Sequence, residues 1–243
     1  MIRNPLSRDQ VRLKFLNLIE SSEYDARADE LLSDDERRRV ERMRTRSDRS
    51  SFVAVRTALR ESLGEILGVS PREVVFRYGP QGKPAIDGCD GVEFNVSHSR
   101  EIGVIAVAIG HRLGVDVEFV VSGSAGDGLA ETLLTRRELE ALRGLPRESQ
   151  DDAFMSWWTR KEAYVKAIGN GLSQPLESFS VSFLPGATPQ LFGADGRVPI
   201  EGWSLVRLEP PPQYIAALVV EGKGWRFVPG EADLVLQSDG RPG

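Results

Sequence analysis

The 243-residue chain has one cysteine, Cys89, and two histidines, His98 and His111. A single thiol makes no internal disulfide, which fits a reducing compartment, and centres built from several cysteines or histidines are excluded by number. Any metal here is held by oxygen. Long apolar runs are missing too: the longest, "VIAVAI" at 104–109, is far below the roughly 18 residues that a membrane helix needs. The first twenty residues carry scattered Arg and Lys and no unbroken apolar core. No signal peptide is read, and a cytoplasmic location with no membrane partner is expected. Aromatics make up only 7% of the chain and net charge is −5, which disfavours a nucleic-acid partner. The 40% of hydrophobic residues are enough for a core, in one large domain or two small ones.

Against that acidic total, positive charge is concentrated. Residues 36–60 hold nine arginines against three acids, a local +6. "SDDE" at 33–36 has the form of a capping box. Behind it, Val40, Met43, Phe52, Val55, Leu59, Leu63 and Leu67 give a helical period over 37–68, closed by Gly68. Strands are expected at 73–78, 92–97, 102–109 and 114–120, with hairpin-length spacing that suggests antiparallel pairing. The Gly/Ser-rich stretch 122–128 reads as a mobile loop. Thr135 with Glu138 resembles a second capping box, and a long helix covers 151–168, closed by Gly169. Strands recur at 178–183, 203–208 and 214–220, and the tail past about 228 reads as loose. Strands and helices in two clusters predict an α+β fold.

Four stretches carry chemistry. In "GVDVEFV", 114–120, Asp116 and Glu118 lie two apart and share one strand face, while Val115, Val117 and Phe119 take the other. Two carboxylates that close repel unless a cation sits between them. In "WTRKEAYVKAIGNGL", Glu162 and Lys166 share a helix face, and Lys161 points elsewhere. Glu162 is a candidate third oxygen ligand for a hard dication such as Mg²⁺; a surface ion pair with Lys166 is the bland alternative. "YGPQGKP", 78–84, presents Lys83 on a turn that is not a Walker loop, because Pro84 follows the lysine. "FNVSHS", 94–99, ends a strand with Ser97, His98 and Ser99, all able to donate to phosphate oxygens. Each motif alone also reads as ordinary surface. A non-catalytic coenzyme-binding module and a plain scaffold remain open on these residues.

Taken in order, "GKP", "FNVSHS", "GVDVE" and "WTRKEAYVKAIGNGLS" resemble the successive signatures of the Sfp-type 4′-phosphopantetheinyl transferases. The resemblance covers about 33–220. It implies transfer of 4′-phosphopantetheine from coenzyme A to a serine of an apo acyl or peptidyl carrier protein, releasing adenosine 3′,5′-bisphosphate, in polyketide, nonribosomal-peptide or fatty-acid pathways. It implies a monomer built as a pseudo-dimer of two similar α/β halves, each an antiparallel sheet on a long helix, with the active-site cleft between them. The halves would be 1–113 and 114–243. Asp116, Glu118 and Glu162 resemble the family's Mg²⁺ ligands, with Mn²⁺ as an alternative ion. Glu162 resembles a general base, or the holder of the water that acts as one, and Lys166 the lysine that contacts the phosphates and protonates the leaving group. Lys83, Pro84, Ser97 and His98 match coenzyme contacts. Arg39 falls where a basic residue binds the adenosine 3′-phosphate, with Arg56 and Phe52 as looser candidates. The segment after "GVDVE", and Leu133 and Leu134, depart from the family pattern at the carrier-docking surface.

Overall fold

The computed structural model describes residues 6–19, 22–79, 82–126, 128–169 and 171–230, and of residues 22, 23, 25 and 172 the backbone alone. Two sheets form the centre. In the first, β1 (Gln10–Asn17) lies antiparallel to β5 (Ile102–Ile109), which pairs with β4 (Val92–Ser99); β11 (Arg226–Pro229) runs parallel to β1 at the other edge. In the second, β10 (Tyr214–Glu221) sits between β6 (Leu113–Phe119) and β9 (Trp203–Leu208). The described α-helices are α1 (Ser22–Leu31), α2 (Asp34–Arg42), α3 (Arg46–Leu67), α4 (Leu129–Leu133), α5 (Arg136–Arg143) and α6 (Arg147–Ile168), and a 22-residue helix belongs to each sheet, α3 to the first and α6 to the second.

Side-chain alternation sorts these elements into layers. On β5, Val104, Ala106 and Ala108 join Val11, Leu13 and Phe15 of β1 in a core shared with Val115, Val117, Leu218 and Val220 of the second sheet. Ile105 and Val107 point the other way, onto Ala54, Ala58, Leu59 and Leu63 of α3. Trp157, Ala163 and Val165 of α6 pack against Ala217 and Val219 on the opposite face of β10. The order is helix, sheet, sheet, helix. It leaves only one face of β6 apolar, so Gly114, Asp116 and Glu118 turn away from the shared core.

Several expectations need correction. The helix read over 37–68 is two: α2 (Asp34–Arg42) and α3, separated at 43–45, where the Thr45 side chain accepts from the Asp48 backbone and starts the second helix. The expected strand 73–78 begins as a single 3₁₀ turn, and only β2 (Phe76–Tyr78) is extended, paired with β3 (Pro84–Ile86). The strand read over 178–183 narrows to β7 (Phe179–Val181), which pairs with β8 (Leu191–Gly193). The strand after β5 does not fold back beside it: Gly110, at φ +74°, turns the chain into the second sheet, where β6 pairs with β10. β1 escaped the sequence reading, although Val11, Leu13 and Phe15 alternate with Arg12 and Lys14. Part of the tail read as loose is β11; residues 231–243 lie outside the described residues. The loop at 122–128 is tied down where described, because Asp151 accepts from the Gly123 and Ala125 backbone N–H groups at 2.8 and 2.9 Å.

Both capping boxes are present, at Ser33–Glu36 and at Thr135–Glu138, the second opening a short helix, Arg136–Arg143. The expected division at 113/114 falls inside β6, and β11 returns from the second segment to the first sheet. Among the described residues no helix is long and apolar enough to cross a membrane.

Candidate active site

A cleft of about 280 Å³ opens between the β2–β3 hairpin, β4 and α6; Lys83, Pro84 and Asn95 line one side, Glu162, Lys166 and Gly169 the other. Lys83 is half-buried rather than a free tip: its Nζ donates to the Lys166 carbonyl at 2.8 Å and the Leu113 carbonyl at 3.2 Å, and burial pushes its pKa down. The lysine ties the hairpin to the end of α6 and the start of β6.

Beside the cleft is a knot of charges. Lys166 Nζ donates to Asp116 Oδ1 at 2.7 Å and to Ser97 Oγ at 3.0 Å, and Ser97 Oγ donates to Asp116 Oδ1 at 2.8 Å. The i, i+4 ion pair with Glu162 is therefore not what Lys166 makes; its ammonium reaches across to the strand. Asp116 is 2% exposed, and burial holds its pKa above the ordinary carboxylate range, against the pull of Lys166 and Ser97. Burial followed by the negative charge of Asp116 raises Glu118 and Glu162 as well. Glu118 and Glu162 each feel the charge of Asp116. The three carboxylates are not a preformed cage: among the described residues no group of three or more His, Cys, Asp or Glu side chains is arranged to hold a metal ion. Asp116 Oδ2 is buried without a hydrogen-bond partner. A buried carboxylate oxygen with no donor, in a nest of anions, suits a cation. Mg²⁺ binds through one or two carboxylates and completes its shell with water and phosphate oxygens, so it needs no closed protein cage.

The serines read as phosphate donors are used otherwise. Ser97 gives its proton to Asp116, and Ser99 gives its own to Glu118 Oε2 at 2.8 Å. A hydroxyl has one proton to give, so in this arrangement neither donates to a phosphate. His98 lies on the face of β4 opposite Ser97 and Ser99 and is exposed. The surrounding protein and then Lys166 lower its pKa.

Arg39, Phe52 and Arg56 form a separate cluster on the α2–α3 side. The guanidinium carbons of Arg39 and Arg56 lie 5.0 and 5.5 Å from the Phe52 ring centre, and Arg56 also covers Phe76 at 4.6 Å. Glu36 lies beneath, 2.8 Å from Arg60 and 3.4 Å from Arg56. Arg56 Nη1 is buried and unpartnered, and Arg56 Nη2 lies 3.4 Å from the Tyr78 hydroxyl. Tyr78 pairs with Pro84 in the hairpin that carries Lys83, which connects this cluster to the cleft.

Two residues absent from the expected set matter to the geometry. Asn95 is buried, and its Oδ1 accepts the Val115 backbone N–H at 2.9 Å. Its signal is the period-two run Asn95, Ser97, Ser99. Gly114 lies against α6: a Cβ there would overlap the Ala163 carbonyl oxygen and the Ala167 nitrogen, and would stand 2.8 Å from the Lys166 carbonyl carbon. A glycine inside a strand pattern is the sequence trace of that close approach.

Comparison with known proteins points one way. A family model described as the 4′-phosphopantetheinyl transferase superfamily matches residues 112–219, and another, described as 4′-phosphopantetheinyl transferase, N-terminal, matches 20–110. The 4′-phosphopantetheinyl transferase HetI of a Nostoc species is 37% identical over 198 residues, covering 80% of this chain and 81% of that protein. The 4′-phosphopantetheinyl transferase gsp of Aneurinibacillus migulanus is 34% identical over 137 residues, 53% of this chain and 56% of its own. The 4′-phosphopantetheinyl transferase Sfp of Bacillus subtilis is 27% identical over 161 residues, 66% of this chain and 70% of its own.

Proposed function

The chain belongs to the 4′-phosphopantetheinyl transferase superfamily, and on that premise we propose that it moves the 4′-phosphopantetheine arm of coenzyme A onto a serine hydroxyl of an apo acyl or peptidyl carrier protein. Adenosine 3′,5′-bisphosphate is the second product. The enzyme acts as a monomer of two similar halves, each a sheet backed by a long helix, α3 in one and α6 in the other. The observation that carries the reading is the charge knot: Lys166, from α6, 2.7 Å from the buried Asp116 of β6 and flanked by Glu162 and Lys83 at the cleft.

Asp116, Glu118 and Glu162 would hold Mg²⁺, or Mn²⁺ in its place. The ion supplies Lewis-acid stabilisation of charge on the diphosphate. Glu162 accepts the proton of the acceptor serine. The serine oxygen bonds to the β-phosphorus of the coenzyme as the bond from that phosphorus to the bridging oxygen breaks. Lys166 donates to the departing bisphosphate. Lys83, His98 and the backbone near Pro84 orient the diphosphate. Arg39, Phe52 and Arg56 receive the adenosine end, where the unpartnered Arg56 Nη1 offers a donor.

The test is incubation with coenzyme A and apo carrier domains, with Mg²⁺ or with EDTA, followed by intact-mass measurement. A carrier that gains the pantetheine arm only with the metal supports the reading; no carrier modified, or equal modification in EDTA, refutes it. Lys166→Ala is expected to lower kcat by about 10²-fold and to leave the KM for coenzyme A within about threefold. A change confined to KM would reassign Lys166 to binding alone.

A further inference from the structure

β4 and β6 lie side by side but belong to different sheets, and among the described residues no backbone ladder joins them. Side chains take the ladder's place. Asn95, Ser97 and Ser99, every second residue of β4, face β6. Asn95 Oδ1 accepts the Val115 N–H at 2.9 Å, and Ser97 Oγ donates to Asp116 Oδ1 at 2.8 Å. Ser99 Oγ donates to Glu118 Oε2 at 2.8 Å and accepts the Phe119 N–H at 3.1 Å. The three rungs satisfy two backbone donors of β6 and orient both of its carboxylates.

A glutamate side chain has three rotatable torsions, and holding it in one place costs rotamer entropy. An ionised carboxylate beside a second one also swings away unless something retains it. Ser99 supplies the retention together with a side-chain hydrogen bond from Trp158, and fixes the strand end with the same hydroxyl. We propose that Ser99 is a positioning residue, which holds the Glu118 carboxylate on the side of β6 shared with Asp116 so that both face one cation. This rests on the reading of Asp116, Glu118 and Glu162 as a Mg²⁺ site. Ser97 does the same for Asp116 but also touches Lys166, so its substitution would disturb the transfer machinery directly. Ser99 touches only Glu118 and the β6 backbone in this network, so its loss reports on position.

Ser99→Thr and Ser99→Val separate the hydroxyl from its shape: the two side chains are nearly isosteric, and both suit a strand. Each variant and the parent, with one equivalent of coenzyme A to supply the phosphate oxygens, are titrated with Mn²⁺ while free Mn²⁺ is followed by electron paramagnetic resonance, and each is melted. Ser99→Thr is expected to bind Mn²⁺ within about twofold of the parent, and Ser99→Val about tenfold more weakly. Ser99→Ala, which keeps the site uncrowded, is expected to match Ser99→Val in affinity even where the valine lowers Tm. Equal Mn²⁺ affinity for parent, Ser99→Ala and Ser99→Val overturns the positioning role and leaves the metal reading standing. Loss of affinity in Ser99→Thr as well shows that the strand end, not the hydroxyl, matters, which also overturns it. A parent that binds no Mn²⁺ overturns the metal reading itself, and the role of Ser99 with it.

Discussion

Asp116→Asn removes transfer and stabilises the metal-free protein. The activity loss is expected at about 10³-fold in kcat/KM, the scale seen when a preorganised electrostatic group is deleted. The amide keeps the volume and the hydrogen bond with Ser97 but offers no negative charge to a cation. Stability moves the other way because burial holds the Asp116 pKa above its ordinary value of 3.8. Between that value and the raised one, the folded protein binds more protons than the unfolded chain. Stability therefore falls as pH rises through that window, and the penalty is fully present above it. Asp116→Asn deletes the penalty, so its Tm should exceed the parent's most at about pH 8 and converge on it as pH falls toward 3.8. Melts across pH with chelator present, beside carrier-transfer assays, check both parts. Retained activity would take Asp116 out of the site. A lower Tm at every pH would mean that the pair with Lys166 stabilises more than burial costs.

Gly114→Ala is the most damaging single methyl available near the site. The added carbon meets backbone atoms of α6, at Ala163, Lys166 and Ala167, rather than a side chain that can rotate. Something rigid has to shift, and overpacking of that kind costs about 3 kcal/mol. For a chain of this length that is a fall in Tm of roughly 6–12 °C. The displaced helix carries Glu162 and Lys166 and the displaced strand carries Asp116 and Glu118, so transfer should fail at temperatures where the variant is still folded. Thermal denaturation with a transfer assay about 15 °C below the variant's Tm separates the two effects. A variant with parental Tm would mean that β6 and α6 do not approach as closely as described.

Much of the site was readable because periodicity is local. Asp116 and Glu118 share a face on any strand, and Glu162 lies one turn from Lys166 on any helix. Burial of Asp116 was not readable, since the same alternation describes an exposed edge strand. The basic stretch 36–60 promised one continuous helix and a charged face. Its interruption at 43–45 follows from Thr45 capping Asp48, and the burial of Arg56 and Arg60 follows from Glu36, which both caps α2 and faces the two guanidiniums. β1 had a legible alternation but Arg and Lys on its other positions, and nothing local shows that a segment near the chain start pairs with β5 and with β11.

The sequence by itself determined which groups this protein can bring to its proposed chemistry: carboxylates instead of sulfur or imidazole, two acids on one strand face, a third acid with a lysine on a helix, and the motif order that marks the family. Those are matters of composition and of spacing within one element. Tertiary structure alone decided whom each group meets. Ser97 and Ser99 turn to carboxylates 19 residues away and Lys166 crosses 50 residues to Asp116. Gly114 is needed because a helix backbone lies against it. Such pairings are set by how two sheets and their helices pack, and packing sums contacts between segments distant in sequence, which no local pattern encodes.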